Sequence, residues 1–175
     1  RLGFTWVALN AGVSPTKAEH VLATLHGRIA LVIDDGPCMA GVESTIGRVK
    51  DDAVEVLRPG PVTAEMLAAA SGLPVIGVTG SEIVAPGMLE SHYAPGKPVR
   101  LGAVDFADDE FGIGFGSATG DYQLSAKGDL TEAAARLFDA LHAGAAGAKA
   151  KIAVARIPGE GLGAAINDRL SRAAV

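Results

Sequence analysis

Apolar residues along the chain fall into short blocks of two kinds, one alternating and one spaced by three or four, with Gly, Pro and paired acids between them. After Ser14-Pro15-Thr16 the spacing of Val21, Leu22 and Leu25 predicts a helix over 14–25. Pro15 suits the first helical position behind a Ser14 cap, and Thr16 with Glu19 forms a capping box one step later. Residues 28–34 (RIALVID) read as a buried strand. Residues 42–49 and 53–57 alternate about Lys50-Asp51-Asp52 and predict a hairpin, ended by Arg58-Pro59-Gly60. Thr63 then caps a helix reaching Ala70, with Val62 and Leu67 spaced as a hydrophobic staple and Gly72 as its stop. A strand follows over 73–78.

Residues 79–98 show neither period and carry Pro86, Gly87, Pro95, Gly96 and Pro98, the composition of a linker. Beyond it, 99–104, 111–115 and 152–157 read as strands. Asp129 and Glu132 cap a helix over 130–142, whose Leu130, Ala134, Leu137, Phe138 and Leu141 share one face. The Ala/Gly run 143–150 reads as a loose connection, and 162–174 as a last helix. Strands alternating with helices predict an α/β protein whose second part is a small Rossmann-like open sheet. The expected division is 1–78, a linker or lid at 79–98, and 99–175.

Composition is that of a folded protein: of 175 residues 49% are hydrophobic, 20% charged, and 23 are glycine. The uncharged run 2–16 is broken by Asn, Gly, Ser and Pro, so no membrane-spanning helix is expected there. One cysteine excludes an internal disulfide and suits a reducing, cytoplasmic compartment. The net charge of −5 is shared between residues 1–97 (7 basic, 10 acidic) and 98–175 (8 basic, 10 acidic), which argues against nucleic acid as the main partner.

Several clusters bear on chemistry. Glu43-Ser44-Thr45 sits just past a glycine turn and Arg58 ends the second strand. Hydroxyls beside an arginine fork suit a small polar substrate next to a phosphate, while an ordinary hairpin with a polar face explains the same residues. Asp34-Asp35 at a strand end is either a Mg²⁺ attractor or a solvated turn. Cys38 lacks a neighbouring base, and His20 and His26 lack partners at metal spacing. Gly112-Ile113-Gly114-Phe115-Gly116 departs from dinucleotide spacing and falls in a strand. Asn167-Asp168-Arg169 is polar enough for a site, and one exposed helix face explains it equally. Met88, His92 and Tyr93 make the linker more than a tether, which reads as a lid.

The wording of these stretches is specific. GPCMAGVESTI at 36–46 followed by VLRPG at 56–60, with SPTKAEHV at 14–21, APGMLESHYAPGKPVRL at 85–101 and GLGAAINDRLSRAA at 161–174, resembles the YrdC-like family in the long two-domain form of threonylcarbamoyl-AMP synthase. The resemblance implies a partial YrdC-like α/β domain ahead of the open-sheet domain. It implies a nucleotidyltransferase that condenses L-threonine, bicarbonate and ATP, with Mg²⁺, into threonylcarbamoyl-AMP for tRNA modification. Ser44 would bind threonine, and Asn10, Ser14, Arg58 and Tyr93 would bind ATP. Arg58 would be catalytic, and no residue is assigned to metal. The family's Lys-x-Arg segment has no counterpart in this sequence, so the chain is expected to be an incomplete, inactive fragment. Three departures stand out: Ala8 where the family has the serine of Ser-x-Asn, Asp35 where it has glycine, and Leu89-Glu90-Ser91 where it is basic. The resemblance brings tRNA-modification proteins as partners. Its alternative is a non-catalytic module that binds double-stranded RNA.

Overall fold

The protein was analysed as a computed structural model, which describes residues 25, 28, 40–78, 85–86 and 93–175. The helix expected at 14–25 and the strand at 28–34 lie outside these residues except at Leu25 and Arg28. So do Asn10, Ser14, His20, His26, Asp34, Asp35, Cys38, Met88 and His92.

The expected hairpin forms with narrower bounds. β1 (Ile46–Val49) pairs antiparallel with β2 (Val54–Arg58), from Ile46 opposite Arg58 to Val49 opposite Val54, with an irregularity between Ile46 and Gly47. Residues 42–45, expected in the first strand, are not in it, because Val42 is instead buried among the apolar side chains of the second sheet's core. The hairpin closes on Glu55, which is fully buried and accepts from Arg48 Nε at 2.9 Å and Lys50 Nζ at 3.2 Å. Two flanking cations offset the cost of removing that carboxylate from water.

α1 (Ala64–Ser71) starts where Thr63 Oγ1 accepts from the Met66 backbone N–H at 3.3 Å, and stops at Gly72 in the left-handed region (φ 68°), as the sequence predicted. β3 (Val75–Gly77) then lies parallel to β2, giving a three-stranded sheet in the order β1-β2-β3.

The second sheet contains β4 (Val99–Ala103), β5 (Glu110–Gly114), β6 (Tyr122–Gln123) and β7 (Lys151–Ala155), all parallel, in the order β4-β7-β5-β6. It is the expected Rossmann-like open sheet, covered by α2 (Leu130–Ala146) and α3 (Leu162–Ala173). Ile113, Leu137, Ile152, Val154, Ile166 and Leu170 form its core, each no more than 2% exposed. At roughly 1.5–3 kcal/mol per buried side chain, this packing is the main stabilising term of the unit.

Two expectations need correction here. Residues 143–146 are not a loose connection but the last turn of α2, whose end is secured by Lys97 Nζ donating to the carbonyls of Gly144 (2.9 Å) and Gly147 (2.6 Å). The two-residue β6 was not foreseen. The glycine run at 112–116 does lie at a strand, for a packing reason: a Cβ on Gly112 would sit 2.7 Å from the Phe106 ring.

Candidate functional site

Arg58 and Ser44 come together at the open end of the hairpin. Arg58 is opposite Ile46 at the last pair of the β1–β2 ladder, so its side chain reaches back over the segment that enters β1. Its Nε donates to the Ser44 carbonyl at 3.0 Å and its Nη2 to Ser44 Oγ at 3.3 Å. Nη1 donates to the carbonyl of Pro86 in the linker at 3.3 Å. Three of the five guanidinium N–H groups are thereby used among the described residues, leaving one on each terminal nitrogen for an incoming oxyanion. Ser44 is exposed.

The corner is pinned from below. Thr45 Oγ1 accepts from the Val62 backbone N–H at 3.0 Å and donates to the Val62 carbonyl at 2.7 Å. Gly60 lies so close that a Cβ there would meet Thr45 N at 2.4 Å, the Glu43 carbonyl at 2.6 Å and the Ser44 carbonyl carbon at 2.7 Å. Only glycine allows that approach, which gives the Arg58-Pro59-Gly60 turn its physical purpose.

Glu43 is the residue that local reading passed over. Its Oε1 accepts from the Tyr93 hydroxyl at 2.5 Å and its Oε2 from Arg169 Nε at 2.9 Å. Arg169 is fully buried, donates through Nη1 to Asp168 at 2.7 Å, and leaves Nη2 without a partner among the described residues. Asp168 in turn accepts from Arg172 at 3.0 Å. Asn167-Asp168-Arg169 is therefore not an exposed polar face: Asn167 bonds the Ile157 and Pro158 carbonyls and Arg169 faces inward. A signal was present, because Arg169 falls three residues after Ile166 on the apolar stripe of α3. A charge on such a stripe needs a partner.

Tyr93 holds a left-handed backbone (φ 65°), costly for a bulky residue and sustained only where neighbours over-determine it. Those neighbours are Glu43 and Phe138 of α2, whose ring centroid is 5.2 Å from that of Tyr93. Burial, then the bond to Glu43 and its charge, push the Tyr93 hydroxyl up to about 12, so it remains a neutral donor at working pH. Burial alone would raise Glu43. The bonds from Tyr93, its own backbone N–H and Arg169, with the charge of Arg169, outweigh it and hold the carboxyl below its ordinary value.

Just upstream, Gly41 (φ 59°) presses against α2, where a Cβ would lie 2.2 Å from the Ala135 Cα. A cleft of about 330 Å³ runs behind the corner between the first sheet and α3, lined by Leu57, Gly60, Thr63, Val75, Asp168 and Arg172 among others. Ser44 and Arg58 do not line it, and the cation in its lining, Arg172, is already paired with Asp168. Among the described residues no three His, Cys, Asp or Glu side chains gather as metal ligands, and no helix is long and apolar enough to cross a membrane.

With this geometry in view, comparison with known proteins is specific. A family model described as "Threonylcarbamoyl-AMP synthase, C-terminal domain" matches residues 62–175, and one described as "Telomere recombination" matches residues 3–60. Their boundary falls within the first sheet, between β2 and β3. A Bacillus subtilis (strain 168) protein named threonylcarbamoyl-AMP synthase is 35% identical over 190 residues, covering 95% of this chain and 55% of the relative. A Schizosaccharomyces pombe protein of the same name is 34% identical over 110 residues, covering 57% of this chain and 27% of the relative. The crystal structure of P. abyssi Sua5 complexed with L-threonine aligns with a TM-score of 0.73 at 28% identity, covering 92% of this chain and 54% of that one. The chain thus spans about half the length of the B. subtilis relative and of the P. abyssi structure.

Proposed function

The chain belongs to the threonylcarbamoyl-AMP synthase family, and from that premise we propose that it serves in the condensation of L-threonine, bicarbonate and ATP into threonylcarbamoyl-AMP and pyrophosphate. The observation that carries this reading is the corner in which one arginine fork joins the Ser44 hydroxyl and, among the described residues, keeps two N–H groups free. The threonine amine and bicarbonate condense to a carbamate with loss of water, and a carbamate oxygen attacks the α-phosphorus of ATP as its bond to pyrophosphate breaks. Such a transfer depends on alignment, charge stabilisation and exclusion of water more than on a general base.

In this reading Ser44 binds threonine and Arg58 takes the charge developing on the phosphates. Asn10 and Ser14 contact ATP, and the linker at 79–98 covers the nucleotide with Tyr93 as its fixed point, between units at 1–78 and 99–175. Mg²⁺ arrives as part of the nucleotide, held by phosphate oxygens and water, a binding mode this ion favours. The product is handed to tRNA-modification proteins in the cytoplasm. The alternative, RNA binding without chemistry, is disfavoured by the net charge of −5 and by eight described basic side chains already paired with carboxylates.

The test is pyrophosphate release from full-length protein given ATP, threonine and bicarbonate, with threonylcarbamoyl-AMP identified by mass spectrometry. Release should require all three substrates and fall sharply in Arg58→Ala. Release independent of threonine, or none, would overturn the assignment.

A further inference from the structure

We propose that Arg169 is a positioning residue for the substrate loop: through Glu43 it fixes both the Ser44 backbone and the Tyr93 hydroxyl, so the second sheet unit sets the geometry of a site built on the first. The two carboxylate oxygens of Glu43 are divided between these roles, Oε2 on Arg169 and Oε1 on Tyr93. Ser44 follows Glu43 directly, and its carbonyl and hydroxyl are the groups to which Arg58 is bonded. A shift of the Glu43 side chain is thus transmitted to Ser44 along the chain and to the linker through Tyr93.

Arg169 is suited to hold rather than to bind. It is fully buried, and its second partner, Asp168, is itself clamped by Arg172, so the guanidinium has little freedom to rotate. An unpartnered Nη2 in a buried arginine costs free energy. A residue serving packing alone would lose nothing by giving way to an apolar side chain of similar volume, as often holds for buried ion pairs. Gly41 and Val42, pressed into the second unit, anchor the loop upstream, while Thr45 and Gly60 anchor it downstream. Between these anchors, among the described residues, it is the Glu43 side chain that ties the loop to α3, and the left-handed Tyr93 is held by the same carboxylate.

The test uses full-length protein carrying Arg169→Met, Arg169→Lys, Glu43→Gln or Tyr93→Phe. Amide exchange at residues 43–45 should rise about tenfold or more in Arg169→Met, the scale for losing a hydrogen bond between charged groups. Exchange within β7 should stay at the wild-type rate. Arg169→Lys, which keeps a donor for Glu43, should restore most of the protection, and Tyr93→Phe should loosen 43–45 less than Arg169→Met. In turnover, Arg169→Met should raise the threonine KM about tenfold with kcat within about threefold, a split that general destabilisation does not produce. This kinetic arm rests on the proposed function and the exchange arm does not. Absence of wild-type turnover would therefore sink that reading while exchange still decides the role of Arg169. Should Arg169→Met not fold, Glu43→Gln removes the charge from the same link at the half-buried end and must loosen 43–45. Wild-type exchange at 43–45 in a folded Arg169→Met or Glu43→Gln, or equal loosening by Met and Lys, would overturn the proposal.

Discussion

Substituting Gly60 by alanine tests the corner most directly, because the displacement it forces is readable from the structure. The added methyl would lie 2.4 Å from Thr45 N and 2.6 Å from the Glu43 carbonyl oxygen, against an ordinary contact of 3.4 Å or more. The Arg58-Pro59-Gly60 turn and the 43–45 segment must therefore separate by about 1 Å, and both neighbours are backbone that no rotamer change can move aside. Overpacking of this kind costs about 1–3 kcal/mol, read as a lower urea midpoint with an unchanged slope. The same shift draws Ser44 away from Arg58, and if Ser44 holds substrate as proposed, a displacement of about 1 Å there is worth up to about 10² in turnover. Gly77→Ala is the control, since nothing among the described residues lies within 4 Å of a Cβ there. If Gly60→Ala and Gly77→Ala were equally stable, to within about 0.5 kcal/mol, the corner would not be the closed structure described.

Three further outcomes are expected. Arg58→Ala should slow adenylate formation about 10²-fold or more, the scale for one preorganised charge donor, in a single-turnover assay. Ser44→Ala should raise the threonine KM with a smaller effect on kcat, by about 1 kcal/mol, or roughly fivefold, in steady-state kinetics. Glu110 should leave a signature in acid. Its hydrogen bonds from Arg100 and then from the Ala107 backbone N–H lower its pKa to about 2, from an ordinary 4.5. Its stabilising contribution is therefore present above pH 4.5 and is lost as pH falls toward about 2. Glu110→Gln should destabilise at neutral pH and converge on the wild type at the acid end of a urea-midpoint series.

Local patterns foretold those parts of the fold whose cause is local. Thr63 and Gly72 bound α1 through contacts within one turn. At α2 the Asp129–Glu132 pair was legible, although its completion was not: Asp129 accepts from the Glu132 N–H, while the Glu132 carboxylate takes Ser125 Oγ, which accepts from the Asp129 N–H. The reading failed where a distant group decides. Residues 143–146 look too rich in Ala and Gly to be ordered, and it is Lys97, 47 residues before Gly144, that satisfies the end of that helix. β6 has two residues, too few to show any period.

The site divides along the same line. Ser44 and Arg58 are 14 residues apart in one hairpin, so a glycine turn, a hydroxyl cluster and a strand-ending arginine sufficed to bring them together. Glu43 and Arg169 are 126 residues apart, and no spacing rule reaches that far. What the chain did hold was half of the pair. An arginine on the stripe of Ile166, Leu170 and Ala173 is in the interior, and a buried guanidinium without a carboxylate is too costly to persist. Asp168 satisfies the charge from the adjacent position and makes the need for a second carboxylate invisible in the sequence. Only the folded chain reveals that the second carboxylate precedes the serine of the candidate site. In that arrangement Glu43 carries its charge to link the second sheet unit, the linker and the candidate corner, and the neighbouring Ser44 stays exposed and bonded to Arg58.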